Sequence, residues 1–157
     1  MRDFLLTVVM KTKRAKVLFI CIGNSCRSPM AEAIAWQDAS QEIEASSAGL
    51  SPLGFVADMT TQTLMKNGYA AAGLTSKPIA SEAWESADIV INMSGRPSEF
   101  AFRNFRHRAK VEDWEIEDPY GDSEKYQGTY EKVQQRVAEL AGRIRKQFAA
   151  ENGSVKQ

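Results

Sequence analysis

An apolar run followed at once by a small polar loop and a proline constrains this chain more than any other feature. The residues at positions 17–22 are all apolar, and their number and β-branched content are typical of a strand buried on both faces of a parallel sheet. Positions 23–28 are small or polar, which is the composition of a loop. Pro29 then favours the first turn of a helix, with Ser28 as the predicted N-cap.

Strand and helix patterns alternate along the rest of the chain. We predict further strands at 43–47, 87–93 and 110–114, and helices at 30–41, 58–68, 81–84, 97–105 and 126–148. The last helix has an apolar stripe made of Val133, Val137, Leu140 and Ile144. This alternation predicts an α/β sandwich with a parallel sheet. Because such sheets bind ligands beyond the carboxyl ends of their strands, the loop after the first strand is the first candidate site.

Length and composition predict a single domain at 17–149, with an N-terminal extension at 1–16 and a flexible tail at 150–157. Met10 is a second candidate start of translation. Twenty basic residues balance twenty acidic ones, so we expect neither nucleic acid nor a membrane surface as a partner. Two cysteines are too few for a disulfide framework, and no apolar run approaches the length of a membrane span. We therefore expect a cytoplasmic protein.

The loop after the first strand is suited to holding a phosphate. Gly23 and Asn24 tolerate positive φ, so the chain can curl until successive N–H groups point inward as an anion nest. The following helix adds the partial positive charge of its N-terminus, and Arg27 can bind two oxygens of a phosphate. Cys21 would then lie at the bottom of the nest, where these groups favour a nucleophilic thiolate. This arrangement needs no metal or cofactor.

The loop also carries the resemblance to a known family. The residues from Val17 to Glu32 resemble the signature of the low-molecular-weight protein tyrosine phosphatases, and the similarity continues at 46–49, at 85–90 and at Asp118-Pro119-Tyr120. The resemblance implies a four-stranded parallel sheet with helices on both faces, forming a three-layer sandwich. It also implies a phosphatase that acts on protein phosphotyrosine and small aryl phosphates through a phosphocysteine intermediate.

The resemblance assigns roles to individual residues. Cys21 is the expected nucleophile, Arg27 binds the phosphoryl group, and Asp118 is the general acid and base. The expected phosphate-binding residues are Ile22, Gly23, Asn24, Ser25, Cys26 and Ser28. Ser47 is expected to support the loop and Tyr120 to form a wall of the substrate slot. The expected partner is a phosphorylated protein or small phosphomonoester, and the expected state is a monomer or weak dimer.

Some positions depart from the family pattern and leave alternatives open. Many relatives have a histidine after the second helix, where this chain has 72–75, and the single histidine, His107, is expected to be exposed and structural. The segment after Gly49 lacks the Trp or Tyr of some relatives. Ser25 is small and polar, as in the similar protein-arginine phosphatases, so phosphoarginine is a second candidate substrate. Arsenate reduction by an external thiol and phosphate binding without turnover are further alternatives.

Cys26 adds a hypothesis about oxidation. It can approach Cys21 across the curled loop, and a transient disulfide between the two would protect an oxidised Cys21 from further reaction. The alternative is that Cys26 is a small residue packed in the core.

Overall fold

The computed structural model describes residues 13–106 and 109–155, so the segment 1–12 with Met10, and also His107, lie outside the described residues. The elements alternate between strand and helix over most of the chain. In order they are β1 (Ala15–Cys21), α1 (Arg27–Asp38), β2 (Ile43–Gly49), α2 (Asp58–Lys66), α3 (Ser81–Ser86), β3 (Ile89–Asn92), α4 (Ser98–Ala101), β4 (Lys110–Asp113), a 3₁₀ turn (Ser123–Lys125) and α5 (Tyr126–Val155).

β1 lies inside the sheet, as its apolar sequence predicts. The strand order is β2-β1-β3-β4, and each neighbouring pair is parallel. Cys21 at the end of β1 is in register with Gly49 at the end of β2. The predicted four-stranded parallel sheet is therefore confirmed, and its carboxyl edge brings the ends of β1, β2 and β3 together.

Side chains that alternate along β1 enter two separate cores. Val17, Phe19 and Cys21 pack on the face covered by α1, α2 and α5. Leu18 and Ile20 pack on the opposite face, against residues of α3 and the region of α4. This period-two pattern confirms a sandwich with helices on both faces. All four residues of the predicted stripe on α5 are buried: Val133, Val137, Leu140 and Ile144.

The start of α1 differs from the sequence prediction. The helix begins at Arg27 rather than Met30, Cys26 occupies the N-cap position, and the predicted cap by Ser28 is wrong. The carbonyl oxygen of Cys26 accepts the hydrogen bond from the N–H group of Met30 at 3.1 Å, so helical bonding starts earlier than the proline suggested. The Ser28 hydroxyl contacts Cys21 instead.

Other bounds differ because tertiary contacts decide them. β2 continues to Gly49 because it pairs along the whole of β1. α4 ends at Ala101 rather than 105, where Phe102 turns into the core against Trp84, with ring centroids 4.9 Å apart. β1 begins at Ala15, inside the predicted extension 1–16. α5 reaches Val155, within the predicted tail 150–157, whose flexibility stays a prediction.

An ion pair ties the edge strand β4 to α5. The Arg143 guanidinium donates to the Glu112 carboxylate at 2.8 and 3.0 Å, and these hydrogen bonds lower the pKa of Glu112 below its ordinary 4.5. A depressed pKa contributes stability above the unfolded value that is lost as the pH falls through the folded value. We expect Arg143→Gln to lower the free energy of unfolding at pH 7 by about 1 kcal/mol or less.

That difference should shrink as the pH falls below about 4.5, which urea unfolding at several pH values measures. Lys146→Gln is the control, because Lys146 is exposed on the same helix and forms no ion pair with the described residues. A difference that stays constant down to pH 3 would contradict the assignment to Glu112.

Within the described ranges, 13–106 and 109–155, no helix has the length and apolar character needed to cross a bilayer.

Candidate functional site

The loop between β1 and α1 has its carbonyl groups turned outward. Four carbonyl oxygens accept hydrogen bonds from the segment that follows β2, at 2.8 to 3.2 Å. The acceptors are Cys21, Ile22, Gly23 and Ser25, and the donors are the N–H groups of Leu50, Ser51, Leu53 and Ala57. Since the C=O of one residue and the N–H of the next lie in one plane and point in opposite directions, fixing the carbonyls on the outside also fixes where the N–H groups point.

The N–H groups of the same loop have no acceptor. Within the part of the chain that the structure describes, none of those at positions 23–27 donates a hydrogen bond. Asn24 has φ of 48°, the left-handed conformation that curls the backbone. The N-terminus of α1 opens onto the same loop. A curled row of unbonded amides at a helix N-terminus has the geometry that can bind an anion.

Ser28 connects this loop to the thiol of Cys21. The Cys21 Sγ lies 3.0 Å from the Ser28 Oγ, and the Asn24 Nδ2 donates to the same Oγ at 2.7 Å. Because Ser28 accepts from Asn24, its own proton is available to the sulfur, the alternative acceptor being the Ala48 carbonyl at 3.5 Å. The Ser28 hydroxyl can therefore donate to the Cys21 sulfur.

A buried carboxyl group ends this chain of hydrogen bonds. The Asn24 Nδ2 also donates to the Ser47 Oγ at 3.0 Å, and Ser47 donates to Glu32 Oε1 at 2.5 Å. Burial raises the pKa of Glu32, although the Ser47 hydrogen bond acts in the opposite direction. Sequence reasoning predicted that Ser47 supports the loop, but it missed Glu32. In a helix predicted at 30–41, Glu32 is an ordinary acidic residue of the first turn, and nothing in the sequence indicates its contact with Ser47.

Arg27 is buried under the loop and is held by backbone oxygens. Its Nη1 donates to the carbonyl oxygens of Met93 at 2.6 Å and Ile116 at 3.2 Å. Its Nη2 lies 3.4 Å from the Asp118 Oδ2. Its Nε is buried and has no partner among the described residues. The guanidinium is therefore fixed in place, with the Nε–H and one N–H of Nη2 without a partner among the described residues.

The predicted catalytic residues line a single pocket of about 220 Å³. Cys21 and Arg27 lie in it together with Asp118 and Tyr120. The Asp118 side chain is 48% exposed, and its Oδ1 accepts from the Tyr120 N–H at 3.1 Å, which holds the loop in a turn. The structure thus brings together residues that are 97 positions apart in the sequence, from Cys21 to Asp118. The roles assigned to them stay predictions.

The supporting residues divide between the pocket and its surroundings. Ile22, Gly23, Ser25 and Cys26 line the pocket, whereas Asn24, Ser28 and Ser47 are buried and bonded to one another. No group of three or more potential metal ligands from His, Cys, Asp and Glu occurs among residues 13–106 and 109–155.

Cys21 and Cys26 are both buried free thiols. The Cys26 Sγ lies 3.3 Å from the Tyr126 hydroxyl on α5. Burial raises the pKa of Cys26, which disfavours its thiolate. The proposed protective disulfide with Cys21 stays a prediction.

Lys77 supports the loop through its main chain. Its backbone N–H donates to the Asn24 Oδ1 at 3.0 Å, so a main-chain group holds the asparagine that curls the loop. No sequence signal indicates this contact, because any residue except proline could supply it.

Gly49 is a further residue that sequence reasoning missed. A Cβ atom at this position would lie 2.7 Å from the Ile22 carbonyl oxygen, and 3.0 Å from both the Cβ and the backbone nitrogen of Asn24. These are main-chain or Cβ atoms of the loop between β1 and α1 (residues 22–26, the predicted phosphate loop). The loop would therefore have to move. The end of β2 therefore approaches the loop closely only because it carries no side chain.

We expect Gly49→Ala to lower the free energy of unfolding by about 1–3 kcal/mol through overpacking. Displacement of the loop should also reduce the phosphatase turnover that the family resemblance implies, by about 100-fold. Urea unfolding and p-nitrophenyl phosphate hydrolysis measure the two effects. Gly128→Ala is the matched control, since a Cβ there meets no atom within 4 Å; equal behaviour of the two variants would show that the close approach is unimportant.

Known proteins with similar sequences and structures belong to the family that the loop resembles. A family model described as low molecular weight phosphotyrosine protein phosphatase matches residues 16–150. The chain belongs to this family. A solved member, the low molecular weight protein tyrosine phosphatase from T. tengcongensis, superposes with a TM-score of 0.73 at 29% identity, covering 82% of this chain and 99% of that one.

Proteins with similar sequences are named for different activities. The protein-arginine-phosphatase of Bacillus subtilis (strain 168) is 31% identical over 146 residues, covering 83% of this chain and 97% of that protein. The glutaredoxin arsenate reductase of Synechocystis sp. is 33% identical over 134 residues, covering 82% of this chain and 98% of that protein. Family membership therefore fixes the fold, and the substrate has to be argued from the site.

Proposed function

We propose that this chain hydrolyses protein phosphotyrosine and small aryl phosphates through a phosphocysteine intermediate on Cys21. The observation that carries the proposal is the position of the Cys21 sulfur. It lies 3.0 Å from the Ser28 hydroxyl, in a pocket lined by a loop whose N–H groups have no acceptor among the described residues. The amides of this loop would bind the equatorial oxygens of the phosphoryl group.

In the first step the Cys21 sulfur attacks phosphorus and the bond from phosphorus to the ester oxygen breaks. Asp118 donates a proton to the departing oxygen. In the second step a water oxygen bonds to phosphorus, the S–P bond breaks, and Asp118 takes the proton from that water. Arg27 binds the phosphoryl oxygens throughout, through its Nε–H and Nη2 groups.

The walls of the pocket support an aromatic substrate. Leu53 and Tyr120 line the pocket and are 45% and 52% exposed, so both side chains are available to pack against a phenyl ring. The segment 50–55 also holds the outer side of the phosphate loop. A flat ring between these two side chains would direct its phosphate toward Cys21.

Phosphoarginine is the second candidate substrate, and one observation favours it. The Ser25 Oγ is buried and has no hydrogen-bond partner among the described residues. A hydroxyl in the pocket could accept a hydrogen bond from the guanidinium of phosphoarginine. The similarity to a bacterial protein-arginine-phosphatase points the same way.

Arsenate reduction and binding without turnover have less support. The chain has two cysteines in all, so reduction of arsenate would need a thiol from another molecule. A binding-only module would have no use for a carboxylate beside the arginine, yet Asp118 lies 3.4 Å from Arg27.

A substrate panel tests the proposal. The kcat/KM values for phosphotyrosine, phosphoarginine and phosphoserine peptides are measured beside arsenate reduction with added thiols. We expect phosphotyrosine to be the best substrate. A higher value for phosphoarginine, lost in Ser25→Ala but kept in Ser25→Thr, would establish the arginine phosphatase instead. Arsenate turnover alone would contradict both.

A further inference from the structure

A second groove lies at the same edge of the sheet as the phosphate loop, beside the end of β2. It encloses about 300 Å³. Among the described residues its lining combines apolar side chains with arginines and contains no carboxylate. The side chains that matter here are Leu50, Ile79, Phe100, Phe105, Arg96 and Arg103. The groove is therefore apolar along its walls and positively charged.

The two arginines of this groove, Arg96 and Arg103, have no carboxylate partner among the described residues. Of the arginines in 13–106 and 109–155, five lie within 4.0 Å of a carboxylate oxygen: Arg14, Arg27, Arg136, Arg143 and Arg145. Arg96, Arg103 and Arg106 do not, and all three are exposed. The segment 96–106 thus has three exposed arginines without a carboxylate within 4.0 Å among the described residues, and its sequence contains a single acidic residue, Glu99.

Arg103 is held in a position to bind a carboxylate. Its Nη1 donates to the Phe100 carbonyl oxygen at 2.9 Å, and its guanidinium lies 4.3 Å from the centroid of the Phe100 ring. Stacking on an aromatic ring restricts the side chain, so less conformational entropy is lost when it binds. Its other nitrogens have no partner among the described residues.

The segment that follows β2 lines both this groove and the pocket of Cys21. Leu50 lines the groove, and its N–H donates to the Cys21 carbonyl oxygen at 3.0 Å. The next residue, Ser51, lines the pocket of Cys21. Because an extended peptide advances about 3.3 Å per residue, side chains a few positions from a phosphorylated residue can reach the groove.

We propose that this groove binds acidic residues that flank the phosphorylated residue of a protein substrate. The proposal rests on the proposed phosphatase function and adds a preference among its protein substrates. The arginines bind the carboxylates, and the exposed ring of Phe100 packs against the aliphatic parts of the same side chains. The balanced overall charge favours an acidic peptide over a nucleic acid, which would need a more extended positive surface.

The test compares peptides that share one phosphorylated residue. Two have glutamates three to six positions before or after it, and one has glutamines at all these positions. We expect an acidic peptide to have the higher kcat/KM at low salt, and the ratio to the neutral peptide to fall about two- to fivefold in Arg96→Gln and in Arg103→Gln. Added salt should reduce the ratio. Arg103→Lys should keep most of it, and Lys146→Gln, a charge removed from α5, should keep all of it.

The outcomes separate the groove from the catalytic proposal. Turnover of p-nitrophenyl phosphate and of the neutral peptide reports the proposed function alone. Anisotropy of a labelled, unphosphorylated acidic peptide reports the groove alone, and binding weakened by Arg103→Gln but not by Lys146→Gln would support it even if no peptide were hydrolysed. Equal kcat/KM for acidic and neutral peptides, or an equal loss in Lys146→Gln, would overturn the docking site. Stronger binding of a single-stranded oligonucleotide than of the acidic peptide would also overturn it.

Discussion

Cys21→Ser is expected to reduce turnover of p-nitrophenyl phosphate by more than about 10⁴-fold while inorganic phosphate and vanadate still bind. A serine hydroxyl is neutral near pH 7 and is a far weaker nucleophile than a thiolate. The N–H groups at positions 23–27 and the Arg27 guanidinium are unchanged by the substitution, so the anion site remains. Steady-state kinetics measure the loss, and isothermal titration with phosphate measures the retained binding.

Cys26→Ser is the matched control for this result. It removes the other thiol of the same loop, whose side chain contacts Tyr126 rather than Ser28, and it should keep measurable turnover. If Cys21→Ser hydrolysed the substrate as fast as the unaltered protein, the phosphocysteine mechanism would be excluded. Loss of phosphate binding together with turnover would show instead that the loop had lost its structure.

Asp118→Asn is expected to lower kcat for a phosphotyrosine peptide by about 10²–10⁴-fold, the usual contribution of a general acid. The loss should be smaller for p-nitrophenyl phosphate, because p-nitrophenolate is stable enough to leave without a proton. An asparagine keeps the size of the side chain and can still accept from the Tyr120 N–H, so the turn should survive. The measurement is kcat for a series of aryl phosphates with leaving groups of increasing pKa.

The control for Asp118→Asn is Glu117→Gln, which alters the neighbouring carboxylate. Glu117 is exposed and is paired with Lys125 at 2.6 Å, away from Arg27, so kcat should be nearly unchanged. An Asp118→Asn loss of the same size for every leaving group would contradict proton donation, since only poor leaving groups depend on it.

Local sequence was sufficient to predict the strand, loop and helix around Cys21. The apolar run of β1, the residues that permit the curl at Asn24, and the proline in the first turn of α1 each determine their own conformation. The resemblance to a family then predicted that Asp118, which is distant in sequence, belongs to the same site as this loop. The sheet and the residues of the candidate site could be predicted because these signals are either local or carried by motifs.

The residues that were missed act through contacts distant in sequence. Glu32 matters because Ser47 on β2 donates to it, and Gly49 matters because the Ile22 carbonyl lies against it. Neither contact can be predicted from the local pattern, since a glycine after a strand usually indicates only a turn. The early end of α4 at Ala101 has a similar cause, since Phe102 packs against Trp84 on another element.

The outward carbonyls and unbonded amides of the phosphate loop couple ligand occupancy to folding. The folded chain aligns several N–H donors without acceptors among the described residues. Donors that lose their water without gaining an acceptor lower the free energy of unfolding. An anion that enters the loop binds the native state alone, so it stabilises the whole chain by mass action, by about 2.7 kcal/mol at one hundred times its dissociation constant. We therefore expect the resistance of this protein to unfolding to depend on the concentration of oxyanions around it as well as on its core.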